Sequence, residues 1–188
     1  MSYAGAFLDV LDANLDAVVR GERDAIDEAV GRIARALSSG HRAYAYLQGH
    51  FMPGESAPDR TGNPPLFTLL TPEAAEDIEP GDVLLASFQY GVLTEFVETT
   101  MRARQRGAFV IAVCPHSDPG QIVRSHPSGL SVPDLADLTI DTHIPVGDAA
   151  LAQTPDRPGC CPTSAVVQAL VHWLLVVGVQ ENRVSSVE

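Results

Sequence analysis

The sequence predicts an α/β fold: a three-layer αβα sandwich around a five-stranded parallel sheet, with an N-terminal helical extension. Three observations carry the prediction. Strand-like and helix-like segments alternate along most of the chain. Runs such as Val83–Ser87 and Ala108–Val113 are apolar throughout, as expected of strands covered on both faces. The chain has 188 residues and is 45% hydrophobic, enough for one complete core. We expect one domain over 1–188, with a helical region at 1–38, an α/β core at 40–178 and a tail at 179–188.

Each element has its own signal. Leu8, Leu11, Leu15, Val18, Ile26, Val30, Ile33 and Leu37 recur near a 3.6-residue period, so 6–37 reads as helix. Gly21 is a point of division and Gly40 a stop signal. The apolar stripe either covers the chain's own sheet or packs on a partner subunit. Ala43 to Leu47 is a short strand. The following stretch to Pro65 is rich in Pro, Gly and Ser and reads as a long loop. "LFTLL" at 66–70 is the second strand. Thr71-Pro72-Glu73 has the form of a helix start. Pro80-Gly81 turns into the third strand at Val83, and a helix follows from about Leu93 to Arg106. "AFVIAV" at 108–113 is the fourth strand, 114–131 a loop, "LTID" at 138–141 the fifth strand and 142–162 a third loop. Thr163-Ser164 opens a last apolar helix over 165–178.

Charge and composition narrow the partners. There are 24 acidic and 12 basic side chains, a formal net charge of −12. That disfavours nucleic acid and anionic membrane surfaces, while a local pocket can still hold a small anion. The N-terminus lacks the basic flank of a signal peptide. The longest apolar stretch, Ala165 to Val179, is interrupted by Gln168 and His172 and falls short of the ~20 residues of a spanning helix. A cytoplasmic protein with no membrane partner is expected. Cys114, Cys160 and Cys161 are an odd count without a CxxC pair, which fits reduced thiols. The adjacent pair can bind a soft metal or be oxidised, or be two small semi-buried thiols.

In a parallel sheet, ligands bind at the carboxyl ends of the strands, near the switch in strand order. The stretch "GDVLLASFQYG" runs a buried strand into a tight turn and then a helix. Such turns present backbone N–H groups to anions. Gly81-Asp82, Arg106-Gly107-Ala108 and Val110-Ile111-Ala112 stand in the same order and spacing in the sugar isomerase (SIS) domain family, which this chain resembles over roughly 40–178. "SHPSG" at 125–129, "ADLTID" at 136–141 and "PVGDA" at 145–149 are similar to an uncharacterised phosphosugar-binding, phosphoheptose-isomerase-like subgroup. The resemblance implies a flavodoxin-like sandwich, a sugar or sugar-phosphate ligand, and either aldose–ketose isomerisation or a non-catalytic scaffold. It implies no cofactor.

Two departures from the family pattern stand out. Phe88 and Tyr90 fall on two serines whose hydroxyls normally hold phosphate, with Gln89 on an Asn and Gly91 on a Gly. Backbone N–H groups at Tyr90, Gly91 and Val92 remain as donors, and Ser87 joins them if the register slips by one. The family also places a helix after strand one, which Pro53, Pro58, Pro64 and Pro65 forbid here.

The candidate catalytic residues are Glu98, His50 and His126. Glu98 matches a family Glu on the helix after the turn, and a carboxylate can move a proton between adjacent carbons. His50 stands near Glu55 in "GHFMPGE", a pairing suited to acid–base work or metal. The ligand-binding candidates are Ser87, Gln89, Tyr90, Gly91, Ser128, Asp148, Thr163 and Ser164. His116, Asp118, His126 and His143 follow strands four and five. No pair has a metal-ligand spacing, so no metal is assigned, and a metal-dependent enzyme stays a weaker alternative. Gln168 and His172 read as satisfied core residues. The long N-terminal stripe and the apolar last helix predict a homodimer or homotetramer.

Overall fold

A computed structural model describes residues 2–48, 60–116, 122–152, 154, 156 and 158–185. Five parallel strands, β1 (Ala43–Leu47), β2 (Thr68–Leu69), β3 (Val83–Ser87), β4 (Phe109–Val113) and β5 (Leu138–Ile140), form one sheet in the order β2-β1-β3-β4-β5. The strand order reverses at the β1–β3 pair, where Leu47 lies opposite Ser87. In sheets of this kind that crevice is the place for a ligand.

Alternation along the strands sends side chains to two separate cores. Ala43, Ala45, Leu47, Val83, Leu85, Ile111 and Val113 pack under α1 (Tyr3–Gly21), α2 (Arg23–Ser38) and α5 (Ser164–Ser185). Tyr44, Tyr46, Leu84, Ala86, Val110 and Ala112 pack on the other face, under α3 (Thr94–Gln105), α4 (Val132–Leu135) and a 3-10 turn at Glu73–Asp77. On α5, Val167, Val171, Leu175 and Val179 recur every fourth residue and are fully buried. Each contributes about 1.5–3 kcal/mol relative to exposure. Gly178 lets α2 and α5 meet closely, because a Cβ there would stand 2.7 Å from Val30 Cγ2.

The structure amends the sequence reading in four places. β2 is confined to Thr68–Leu69, shorter than the 66–70 run. Thr71 and Pro72 start only a 3-10 turn, in which the Thr71 hydroxyl accepts from the Ala74 N–H at 3.4 Å. A turn of helix at Val132–Leu135 appears where none is expected; the Asp134 carboxylate accepts from the Ser131 N–H at 2.8 Å and fixes its start. Finally, α5 runs on to Ser185, so the tail is helical to that point. By length and composition this helix is apolar enough to cross a membrane, which removes the length argument above. In the fold, its apolar face is spent on the sheet and on α2.

Candidate functional site

The β3 turn starts from a buried anchor. Phe88 is 0% exposed, stacked on Phe96 at 4.3 Å and edge-on to Tyr46 at 5.1 Å. Its N–H extends the ladder to the Val113 carbonyl. The aromatic ring in place of a family serine therefore lies beneath the pocket, inside the α3-side core, and does not narrow it. After Phe88 the chain leaves the sheet. Gly91 has φ +64, and a Cβ there would lie 3.0 Å from Val132 Cβ. Glycine is required because the turn packs on α4, whose first N–H donates to the Gly91 carbonyl at 2.8 Å.

The backbone donors of this turn are left over. Among the described residues, no N–H from Gln89 through Glu95 donates a hydrogen bond. The helix N-cap is Leu93, whose side chain cannot cap α3. These groups border a cavity of about 250 Å³ lined by Gln48, Gln89, Tyr90, Gly91, Val92, Leu93 and Phe96. Gln48 follows β1 and the others follow β3, so the cavity opens at the switch in strand order.

The start of α5 is organised in the opposite way. The Asp148 carboxylate is 4% exposed. One oxygen accepts from the Thr163 and Ser164 N–H groups at 3.0 and 3.2 Å; the other accepts from the Ser164 hydroxyl at 2.5 Å and from Gln89 Nε2 at 3.1 Å. Asp148 thus supplies the anion for this helix and clasps the cradle turn through Gln89. Thr163 is fully buried, and its hydroxyl has no partner among the described residues.

The remaining candidates are spread out. Ser87 is 5% exposed and faces the α5 side of the sheet with Gln168 and His172, away from the cavity. Tyr90 lines the cavity, and its hydroxyl donates to the Pro145 carbonyl at 3.4 Å. Its pKa is raised by partial burial. Glu98 is exposed on α3. One turn earlier, Glu95 accepts from the Tyr46 hydroxyl at 3.1 Å. Burial, reinforced by Glu95, pushes Tyr46 up to about 12. His126 and Ser128 bond each other, Nδ1 to Oγ at 2.6 Å, in a surface turn.

His116 and His143 both donate a backbone N–H to Asp141, and the His143 ring meets Glu22 of the α1–α2 junction at 3.0 Å. His50, Glu55 and Asp118 lie outside the described residues. Among the described residues, no group of three or more His, Cys, Asp or Glu could hold a metal ion. Gln168 is 1% exposed, and neither amide atom has a partner among the described residues, contrary to its reading as a satisfied core residue. His172 is buried, and desolvation holds its pKa down to about 4.

The sequence reading missed Gln48 and the N–H groups of Leu93, Thr94 and Glu95. One signal was present: an apolar residue at the N-cap of α3 leaves the first turn without a side-chain acceptor.

No family model matches the chain. A UPF0309 protein of Streptomyces coelicolor is 29% identical over 194 residues, covering 88% of this chain and 77% of that protein. A UPF0309 protein of Listeria monocytogenes serotype 4b is 32% identical over 98 residues, covering 52% of this chain and 40% of that protein. Among solved structures, phosphoheptose isomerase GmhA from Neisseria gonorrhoeae superposes with a TM-score of 0.63 at 14% identity, over 94% of this chain and 95% of that one. E. coli CFT073 c3406 in complex with arabinose 5-phosphate gives 0.59 at 16% identity, over 97% and 94%. The Vibrio vulnificus NanR protein complexed with ManNAc-6P gives 0.60 at 16% identity, over 96% of this chain and 61% of that one. The sandwich formed here is thus the one found in phosphosugar isomerases of the SIS type, as the sequence resemblance implied.

Proposed function

We propose that the protein binds a sugar phosphate, with the phosphate group on the backbone cradle at Gln89–Glu95 and the sugar in the adjoining cavity. The observation that carries this reading is the run of N–H groups at the head of α3 that have no acceptor among the described residues and border a 250 Å³ cavity at the switch in strand order. Such groups, together with the helix dipole, favour an anion without any side-chain donor. The loss of the family serines is therefore compatible with phosphate binding. Two proteins of the same fold are complexed with arabinose 5-phosphate and ManNAc-6P, both sugar phosphates, which supports the ligand class.

Calorimetry and thermal shift with arabinose 5-phosphate, ManNAc-6P, inorganic phosphate and the unphosphorylated sugars test the reading. Stabilisation should require the phosphate group, reaching about 2.7 kcal/mol for a ligand at a hundredfold its Kd. Equal stabilisation by the free sugars, or none by any compound, would reject it.

A non-catalytic binding role is favoured by the cavity itself. Among the described residues, its lining has no carboxylate and no imidazole to act as a proton-transfer base. Isomerisation would call on Glu98 or on His50, which lies just beyond Gln48 in sequence. NMR of bound arabinose 5-phosphate separates the readings. Aldose–ketose conversion that is abolished by Glu98→Gln or His50→Ala makes the protein an isomerase, and binding without turnover makes it a sensor or scaffold.

Assembly as a homodimer or homotetramer belongs to the same proposal. Leu8 and Val19 on α1 and Val177 on α5 stay about half exposed, and a second copy would cover them. Light scattering at micromolar concentration should return a multiple of the chain mass.

A further inference from the structure

We infer that Cys160 and Cys161 form an oxidation site, at which a hydroperoxide converts the two adjacent thiols into a vicinal disulfide that reports to the ligand cleft. Their sulfurs are 3.8 Å apart, and both residues are half-buried, within reach of a small oxidant. Cys114 differs on both counts. It is fully buried under the sheet, and desolvation pushes its thiol pKa well up.

The chemistry balances with the oxidant alone. One thiolate attacks the peroxide O–O bond, giving a sulfenic acid and releasing water or the alcohol. The neighbouring thiolate then attacks the sulfenic sulfur, the S–S bond forms and a second water leaves. Two thiols are oxidised and one peroxide is reduced. Adjacent Cα atoms lie about 3.8 Å apart, below the ~4.4 Å lower limit of ordinary disulfides. The product ring is therefore strained and readily reduced, which suits a reversible modification more than a structural staple.

The backbone around the pair connects it to the cleft. Cys160 exchanges both backbone hydrogen bonds with Leu151 at 3.1 Å, and the Cys161 carbonyl accepts from the Ala150 N–H at 3.0 Å. Cys161 also sits at φ +65, a conformation an L-residue holds only when its surroundings impose it. Drawing the sulfurs to ~2.05 Å must twist the 160–161 peptide. The twist is transmitted on one side to Asp148 through Ala150 and on the other to Thr163 and Ser164. Those residues form the clasp that holds Gln89 of the cradle turn.

The experiment treats the full chain with hydrogen peroxide, counts thiols in denaturant and maps peptides by mass spectrometry. The count should fall from three to one, with a 160–161 link whose yield is independent of protein concentration and which dithiothreitol reverses. Cys160→Ser and Cys161→Ser should each lose the link and accumulate a dimedone-reactive sulfenic acid instead. Hydrogen exchange at the Thr163 and Ser164 amides should speed up in the oxidised protein and stay unchanged in either treated serine variant. A stable sulfenic or sulfinic acid in the parent protein, or a link that grows with protein concentration, overturns the site. A clean 160–161 link with unchanged exchange at 163–164 overturns its connection to the cleft. Neither readout requires a bound sugar phosphate, so the outcome is independent of the proposed function.

Discussion

Two helices begin at the carboxyl edge of the sheet, and they are finished in opposite ways. At α5 the first N–H groups and the Ser164 hydroxyl all converge on the Asp148 carboxylate, buried and supplied by the chain itself. At α3 the N-cap is Leu93, and the N–H groups from Gln89 to Glu95 face a cavity with no acceptor from the described residues. A helix N-terminus carries roughly half a positive charge, and a nearby anion satisfies it. One of these charges is neutralised internally and the other is left over. In a chain of net charge −12, that leftover is a local exception to the global field. The location of an anion site thus follows from which helix start lacks its own carboxylate as much as from which loop looks like a motif.

The largest effect should come from opening the closed end. Asp148→Ala removes a buried acceptor and strands the Thr163 and Ser164 donors and Gln89 Nε2. We expect a loss of about 3 kcal/mol in urea unfolding, typical of breaking a buried hydrogen-bonded charge. Asp148→Asn should lose less, because its one remaining oxygen still accepts from the helix. A loss under ~1 kcal/mol for Asp148→Ala would mean that water replaces the carboxylate and that the two helix starts are not so different.

Gly91→Val should cost somewhat less, about 2 kcal/mol, from left-handed backbone strain and from the collision with Val132. Any ligand binding would be lost with it for a packing reason. For that reason Gly91→Val cannot by itself report whether the turn holds a ligand.

The two faces of the sheet should also fail at opposite ends of the pH range. His172, on the α5 face, has a folded pKa near 4 against about 6.5 unfolded, because burial disfavours its charged form. The unfolded chain binds that proton first. Its contribution is fully present above pH 6.5 and is lost as pH falls from there toward 4, by an amount on the order of 2 kcal/mol. Tyr46, on the α3 face, has its pKa raised to about 12. Its contribution is present below pH 10 and is lost as pH rises from 10 to 12. Unfolding of His172→Gln should lack the acid slope and that of Tyr46→Phe the alkaline one. Unchanged slopes in both variants would remove this difference between the faces.

Much of the scaffold was legible because burial on both faces leaves a plain mark. "VLLAS" and "AFVIAV" can be little else than central strands, and their order with the intervening helices gives the sheet. α4 was illegible because it is one turn long and depends on Ser131 and Asp134, residues equally at home in a loop. The site divided in the same manner. That the β3 turn borders a cavity followed from strand–turn–helix order. The role of Phe88 did not, because an aligned position says nothing about which way a side chain points, and here the ring goes down into the core beside Phe96. Asp148 was read as a sugar ligand because the dipeptide Gly147-Asp148 gives no hint of a helix start fifteen residues on. Only the fold brings those groups together.

The smallest structural change tests the open end most directly. Thr94 is the first residue of α3, and the preceding Leu93 has φ −72 and ψ 143. Proline is favoured at a first helical position, and the residue before it must be extended, as Leu93 already is. The Thr94 N–H donates no hydrogen bond among the described residues. Thr94→Pro should therefore leave the unfolding free energy within ~0.5 kcal/mol of the parent. If the cradle binds phosphate through its backbone, the same change removes a donor to a charged group, and phosphate-ester affinity should fall about tenfold, corresponding to ~1.5 kcal/mol. Thr94→Ala keeps the N–H, and its affinity should stay with the parent. A proline variant as stable as the parent that binds equally well would show that this N–H does not face the anion. A variant that loses stability instead would show that the head of α3 is held by a contact as firm as the one Asp148 makes at α5.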